Sequence, residues 1–163
     1  EDQILEALVK WLGSKTSLTV VQAYENGDEP DLPYITVALL NMSDVRENPS
    51  NIEYVNTVVS GENVVLAKPV KEVEWHFSLQ CHGGTQPLSY LRPLRSIIEL
   101  AQQQEPLFPG LTIHELSQIR NVPEFVKEKW EKRAQMDVFL RGLTRDGALI
   151  DVIEQHTITV ETM

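Results

Sequence analysis

The feature that most restricts the fold of this chain is a strict alternation of apolar and polar residues from Val73 to His82. Its apolar positions are Val73, Trp75, Phe77, Leu79 and Cys81. Because successive side chains of a β-strand point to opposite faces, this period of two predicts a strand. One face of that strand must lie in a core, and the other must lie in water or at an interface.

Two segments have the spacing of amphipathic helices. In residues 2–12, apolar residues recur at intervals of three and four, and both the acidic start and the following Gly13 match helix ends. In residues 88–101 the spacing is similar, but Pro93 conflicts with a helix interior. The second helix must therefore either kink at Pro93 or begin near Arg92 with Pro93 in its first turn.

Segments rich in β-branched or alternating residues make up most of the remaining chain. They predict strands over 18–23, 34–45, 111–116, 134–141, 148–153 and 157–160, with a brief turn or helical stub at 122–126. Helix, strands, helix and strands follow in that order. We therefore predict an α+β fold with a mainly antiparallel β-sheet, two main helices packed on one face and an inserted β-hairpin arm.

The arm comprises residues 46–69, in which turn residues flank two apolar runs, 52–59 and 64–66. This pattern is typical of a protruding hairpin inserted between two core strands. The arm has more apolar surface than a solvated loop requires, contributed by Tyr54, Val55, Val58, Val59, Val64 and Val65. Either the arm folds back on the core or a partner covers it.

The bulk properties limit the class of protein. At 163 residues the chain has the size of one domain, so we predict a single domain over 1–163. The single cysteine, Cys81, excludes an intrachain disulfide and fits a reducing cytosol. No apolar run approaches the roughly 20 residues that a membrane-spanning helix needs, so we expect no membrane partner. The net charge of −10 argues against general DNA binding, which requires clustered lysine and arginine.

The polar residues show no pattern typical of catalysis. Cys81 and His82 are adjacent on the predicted strand and point to opposite faces, so Cys81 is better interpreted as a buried structural thiol. His76 and His82 share a face but lie roughly 20 Å apart, too far for one metal ion. The mixed charges of residues 127–133 fit a surface ion-pair segment better than a nucleic-acid site. We therefore predict no catalytic residue, no cofactor site and no metal site.

An ordered set of segments gives the chain a resemblance to a known family. After the first helix come Val20-Val21-Gln22-Ala23, Pro33-Tyr34, Leu79-Gln80-Cys81-His82-Gly83, Leu91-Arg92-Pro93-Leu94-Arg95 and, as the most specific element, Trp130-Glu131-Lys132-Arg133-Ala134-Gln135-Met136-Asp137-Val138. With these segments the chain resembles the neck and tail-terminator proteins of tailed bacteriophages, in the phage neck terminator or LIC-type branch. Pro93 departs from the family pattern, which has a helix former there.

The resemblance implies a structural virion protein of the tail and neck, made in the cytoplasm of a bacterial host and without enzyme activity. It implies a ring, typically of six copies, that caps the completed tail tube, stops its polymerisation and joins the DNA-filled head. Expected partners are further copies of this chain, the tail tube protein, the sheath protein as a further candidate, and the head-tail connector or head-closure protein. DNA would pass through without specific binding.

In such a ring the acidic balance of the chain has a use, because a lumen lined by carboxylates repels DNA phosphates. We expect this lining to include Asp28, Glu29, Asp31 and Glu62. A closed ring also needs two different contact surfaces on each subunit, and we expect the arm to supply one of them.

Two alternatives stay open. The first is another ring component of the same particle, such as a head-closure or tail-tube subunit, because fold alone does not separate these roles. The second is a small-ligand binding protein or hydrolase with a site on one strand face, built from Glu74, His76 and His82. Self-polymerisation into long tubes would favour a tube subunit, and stabilisation by a ligand would favour the second alternative.

Overall fold

The secondary structure alternates between helices and strands much as the sequence pattern predicts. The computed structural model describes residues 2–100, 103 and 110–150. The helices with defined bounds are α1 (Asp2–Gly13) and α2 (Pro87–Ile98). The strands are β1 (Thr19–Gln22), β2 (Tyr34–Asp44), β3 (Asn51–Val59), β4 (Glu62–His82), β5 (Thr112–Leu116), β6 (Arg120–Asn121), β7 (Glu124–Val126), β8 (Lys129–Glu131), β9 (Arg133–Thr144) and β10 (Ala148–Ile150). The predicted strand 157–160 lies outside the described residues, as do the ends of the predicted 88–101 helix and 148–153 strand.

Contacts divide the chain into two compact units. The first unit comprises Glu1–Val45 and Val73–Gly142, and the second comprises Arg46–Glu72 and Leu143–Met163. The long strand β4 contributes residues 73–82 to the first unit and residues 62–72 to the second. The first unit holds the hydrophobic core. Among the described residues of the second unit, only Val70 is buried.

The sheet of the first unit is mainly antiparallel. Its strand order is β1-β2-β4-β9-β5, with β6 also paired to β9. The pairs β2–β4, β5–β9 and β6–β9 are antiparallel, whereas the edge pair β1–β2 is parallel. The predicted mainly antiparallel sheet is therefore confirmed.

Both helices pack on the same face of this sheet. Alternate residues of β4 and β9 enter one buried cluster, including Trp75, Phe77, Leu79, Cys81, Met136, Val138 and Leu140. The helices add Leu8, Trp11, Leu12, Leu91, Leu94 and Ile98 to that cluster. Removing these apolar side chains from water is the main stabilising term for such a fold. The predicted α+β class with two helices on one face is thus confirmed.

The course of α2 decides between the two interpretations of Pro93. The helix begins at Pro87, where the missing N–H belongs to the first turn and is not needed, and it continues through Pro93. Pro93 lies on the exposed side of the helix, so the carbonyl that loses its amide partner can bind water instead. A helix start near Arg92 is therefore wrong.

The second strand of the predicted arm is not separate from the core strand that follows it. Instead of one strand at 64–66 and another at 73–81, the structure has the single 21-residue strand β4. The predicted arm ends at Pro69, and a proline is unusual inside a strand because it cannot donate to a ladder. In the structure Pro69 pairs with Ile52 on β3 and lies beyond the pairs that β4 forms with β10. A proline is tolerated there because only one of the two neighbouring strands is paired.

Candidate assembly surfaces

The second unit contains a regular three-stranded sheet. β3 pairs with β4 from Asn51↔Val70 to Val59↔Glu62 without a bulge. The turn residues Ser60 and Gly61 both have positive φ, 52° and 85°, which is the geometry that matches a two-residue hairpin turn to the strand twist. β10 pairs with residues 65–67 of β4 on the side opposite β3. We name β3, residues 62–72 of β4 and β10 the arm sheet.

The register assigns the side chains of the arm sheet to two faces, because residues opposite each other in an antiparallel pair point to the same side. The first face carries Ile52, Tyr54, Val58, Val65, Ala67 and Ile150. The second face carries Val55, Val59, Val64, Leu66 and Leu149, together with an ion pair between Glu53 and Arg145. The six arm residues identified from the sequence therefore lie in one small sheet, three on each face.

Much of the apolar side-chain area on both faces is open to solvent in the single chain. On the first face Tyr54 is 62% and Val58 64% exposed, and on the second face Leu149 is 54% exposed. Val64 and Val65 are half-buried. Contiguous apolar patches larger than a few hundred Å² are uncommon on monomeric proteins and mark interaction sites. The arm sheet is therefore the leading candidate for an assembly surface.

The loop between β1 and β2 carries four acidic residues, Glu25, Asp28, Glu29 and Asp31. Asp28, Glu29 and Asp31 are exposed on this loop. The Tyr34 hydroxyl donates a hydrogen bond to Glu29 Oε1 at 2.7 Å, which ties the loop to the start of β2. Glu62 is exposed at the start of β4 in the second unit. Three of the four residues expected in a lumen therefore share one loop, and the fourth belongs to a separate unit.

A buried histidine lies beside this acidic loop. The His82 ring stacks on Tyr34 with ring centroids 4.7 Å apart, and its Nε2 lies 2.9 Å from Thr36 Oγ1. Its Nδ1 lies 3.4 Å from Glu131 Oε1. Burial, and then the positive charge of Arg133, lower the pKa of His82 to about 4. Burial and the nearby Glu29 carboxylate raise the pKa of Glu131. The imidazole is therefore neutral at pH 7 and serves as a packed polar side chain.

This histidine should make the protein less stable in acid. Because its pKa in the folded chain lies below the ordinary value of 6.5, the unfolded chain binds the proton more readily as the pH falls through 6.5 toward 4. We expect about 2 kcal/mol of the free energy of unfolding to be lost between pH 7 and pH 5 through this group. Urea denaturation at both pH values should show a smaller loss for His82→Gln than for the wild type.

Two neighbours of His82, Glu131 and Thr36, determine how this measurement is controlled. Glu131 acts in the opposite direction, because a raised carboxyl pKa adds stability as the pH falls, so the contribution of His82 is the difference between variant and wild type. Thr36→Val removes the hydroxyl but leaves the imidazole buried, and it should keep the wild-type pH dependence. Equal pH dependence for wild type and His82→Gln would contradict the assignment.

A short aromatic hairpin, formed by β7 and β8, is an element that the sequence pattern does not predict. Residues 122–126 do not form a turn or a helical stub; 124–126 pair with 129–131 through a turn in which Lys127 and Glu128 have φ of 48° and 64°. Phe125 and Trp130 pack edge to face, with centroids 5.4 Å apart, and both are exposed. Two-residue hairpin turns usually contain Asn-Gly or a similar pair. The turn at Lys127 and Glu128 has no such residues, so the sequence pattern does not predict a hairpin here. Arg133 forms ion pairs with Glu124 and Glu131, as expected of a surface ion-pair segment.

The residues of the alternative ligand site are each engaged by neighbours of their own. Glu74 Oε2 accepts a hydrogen bond from Arg141 Nε at 2.8 Å. His76 stacks on Phe139 with centroids 4.3 Å apart, while His82 stacks on Tyr34. Within residues 2–100, 103 and 110–150, no group of three His, Cys, Asp or Glu residues is placed to hold a metal ion. This arrangement gives no support to a ligand or hydrolase site.

The thiol of Cys81 also has a structural place. It is fully buried with the core side chains of β4, as predicted from the alternation. Burial raises the pKa of this thiol to about 11, so it stays protonated and is a weak nucleophile at neutral pH. The interpretation of Cys81 as a buried structural thiol is confirmed.

A mainly antiparallel α+β unit joined to an exposed apolar sheet is the kind of chain that assembles with other proteins. The family model of the phage neck terminator protein matches residues 2–162. The chain belongs to this family and is a structural protein of the bacteriophage neck, where its partners are other head and tail proteins. No protein of curated function matches the chain in sequence. In the described part of the chain, no helix has the length and apolar character needed to cross a membrane.

Proposed function

We propose that copies of this chain form a closed ring on the end of the completed tail tube, where the ring stops tube polymerisation and offers the surface that joins the head. The whole chain, 1–163, acts as one terminator domain, with residues 46–69 as its arm. The observation that carries this proposal is the exposed apolar arm sheet in a member of a structural neck family. The chain has no catalytic part in this role.

The arm supplies one of the contacts between neighbouring subunits. Each contact in a closed ring joins two different surfaces. The resemblance to tail-terminator proteins implies six copies. Tyr54 and Val58 are exposed apolar side chains of the arm sheet, and a neighbouring subunit would remove them from water. One end of the ring meets the tail tube protein, and the other end meets the connector or head-closure protein. The sheath protein is a further candidate partner.

The lumen of the ring is acidic and lets DNA pass without binding it. Asp28, Glu29 and Asp31 are exposed on one loop, and Glu62 is exposed in the second unit. Carboxylates there repel DNA phosphates, whereas lysine and arginine would hold them. The sign of the charge lining the bore in an image reconstruction of the ring tests this part, and a net basic bore would overturn it.

The ring itself is tested by measuring the mass of the purified chain over a concentration series by light scattering, with negative-stain images of the heaviest fraction. We expect discrete rings of about six subunits, either alone or after mixing with purified tail tubes. Tubes capped by the chain should stop growing when fresh tube subunit is added.

Results other than a ring would change the function assigned to this chain. Long cylinders of this chain alone would assign it as a tube subunit. A chain that stays monomeric and leaves tube growth unchanged would overturn the ring proposal. As a control for unspecific blocking of tube growth, purified tubes are mixed with an unrelated acidic protein of similar size.

A further inference from the structure

The outer edge of β3 lacks the devices that usually prevent strand pairing. Within residues 2–100, 103 and 110–150, β3 pairs with β4 only, so its other edge is open over nine residues. The strand has no proline and no bulge, and its only charged residue, Glu53, pairs with Arg145. Long open edges without proline, bulges or free charges are templates for another strand. The group that fits this edge is therefore a β-strand.

In the described part of the chain, β10 forms the opposite edge of the same sheet. Both β3 and β10 pair with β4, on its two sides, and both run antiparallel to it. β3 and β10 are therefore parallel to each other, separated by β4. β10 consists of Ala148, Leu149 and Ile150, so no charge on it opposes a neighbouring strand.

We propose that β10 of one subunit pairs in parallel with β3 of the next subunit, so that the arm sheets form one continuous sheet around the ring. This inference rests on the proposed ring. Head-to-tail association joins two different surfaces, and the two edges of the arm sheet are such a pair. A rotation about the ring axis keeps the direction of each strand along that axis, and the joined strands are therefore parallel.

The partner strand comes from a second copy of this chain, because one arm sheet has both edges that the pairing needs, β3 and β10. An open edge with exposed apolar side chains on both faces needs a partner whose faces are also apolar. A neighbouring arm sheet has apolar side chains on both of its faces. When its edge pairs with this edge, the two first faces form one continuous surface, and so do the two second faces. Pairing in this way hides the backbone N–H and C=O groups along both edges, which have no strand partner among the described residues.

Cysteine cross-linking tests the joint. Leu149→Cys is combined in turn with Val55→Cys, Thr57→Cys and Val59→Cys, which lie on the same face as Leu149. In one chain β4 separates the two strands by roughly 10 Å, beyond the reach of a disulfide, so any cross-link joins subunits. Oxidised glutathione should then give a ladder of covalent oligomers on a non-reducing gel for at least one combination.

The matched controls are Leu149→Cys with Asn56→Cys and Leu149→Cys with Val58→Cys, whose partners point to the opposite face. They should give no ladder. The native Cys81 is buried and protonated and does not interfere. The mass of every variant is measured before oxidation, so that a variant that fails to assemble is recognised.

The outcomes separate the two proposals. Rings in which no same-face combination cross-links, or in which the opposite-face controls cross-link equally well, overturn the strand pairing and leave the ring intact. Failure of the unsubstituted chain to form any ring, even with tail tubes, overturns the proposed function and the pairing with it. A ladder confined to the same-face combinations supports both.

Discussion

Replacing Phe77 with alanine should lower the free energy of unfolding by about 3–5 kcal/mol. The Phe77 side chain is fully buried on β4, between β2 and β9 and under the two helices. Truncation leaves a cavity that neighbours on rigid strands cannot fill. Because domains of this size are stable by only about 5–15 kcal/mol, the variant should unfold at a much lower urea concentration. Urea denaturation followed by tryptophan fluorescence measures the loss.

Phe125→Ala is the matched control for this experiment. Phe125 is 58% exposed on the β7–β8 hairpin, and its main contact is the edge-to-face pair with Trp130. Its removal should cost about 1 kcal/mol or less. A similar cost for the two alanine variants would mean that the alternating face of β4 is not the centre of the core.

The elements that could be predicted from sequence are those whose burial follows a regular period. The alternation from Val73 to His82 and from Ala134 to Arg141 identified β4 and β9, because the same contrast of apolar and polar positions recurs on both strands. The spacing of Leu91, Leu94 and Ile98 likewise identified α2 despite Pro93. In each case a single local pattern contains the information.

The elements that could not be predicted depend on contacts distant in sequence or on unusual turns. β10 joins the arm sheet by pairing Ala148 with Ala67. The sequence of neither segment indicates which strand it pairs with. The β7–β8 hairpin turns at Lys127 and Glu128, residues that seldom adopt positive φ. The sequence pattern therefore predicts the arm as a hairpin but not the third strand of its sheet.

The candidate surfaces were identifiable in composition but not in arrangement. The six apolar arm residues stand out because a solvated loop does not need them. Their division between two faces follows from the register, and the register is fixed by the turn at Ser60 and Gly61. The acidic residues carry no such signal, because an exposed carboxylate on a loop looks the same in sequence whether or not it lines a lumen. The selection of Asp28, Glu29, Asp31 and Glu62 stays a prediction.

Replacing both Tyr54 and Val58 with glutamate should abolish ring assembly while leaving the chain folded. The two side chains are among the most exposed on the first face of the arm sheet, which is the more apolar face. Pairing at the edge of β3 buries part of each side chain, and full burial contributes about 1.5–3 kcal/mol, so losing both at each contact weakens it by roughly tenfold to a hundredfold. Light scattering measures the loss as monomer in place of rings.

The control that gives this result its meaning is the double variant Leu88→Glu and Leu100→Glu, which also places two carboxylates on exposed apolar positions, but on α2 and directly after it. It should form rings as the unsubstituted chain does. Urea denaturation of the Tyr54 and Val58 variant should match the wild-type monomer closely, because substitutions at exposed positions change stability little. Loss of rings in both variants would point to net charge as the cause, and rings in both would exclude the first face from the contact. Only the loss confined to the arm variant assigns the contact to that face, because the two variants share the introduced acidic chemistry and differ in where it is placed.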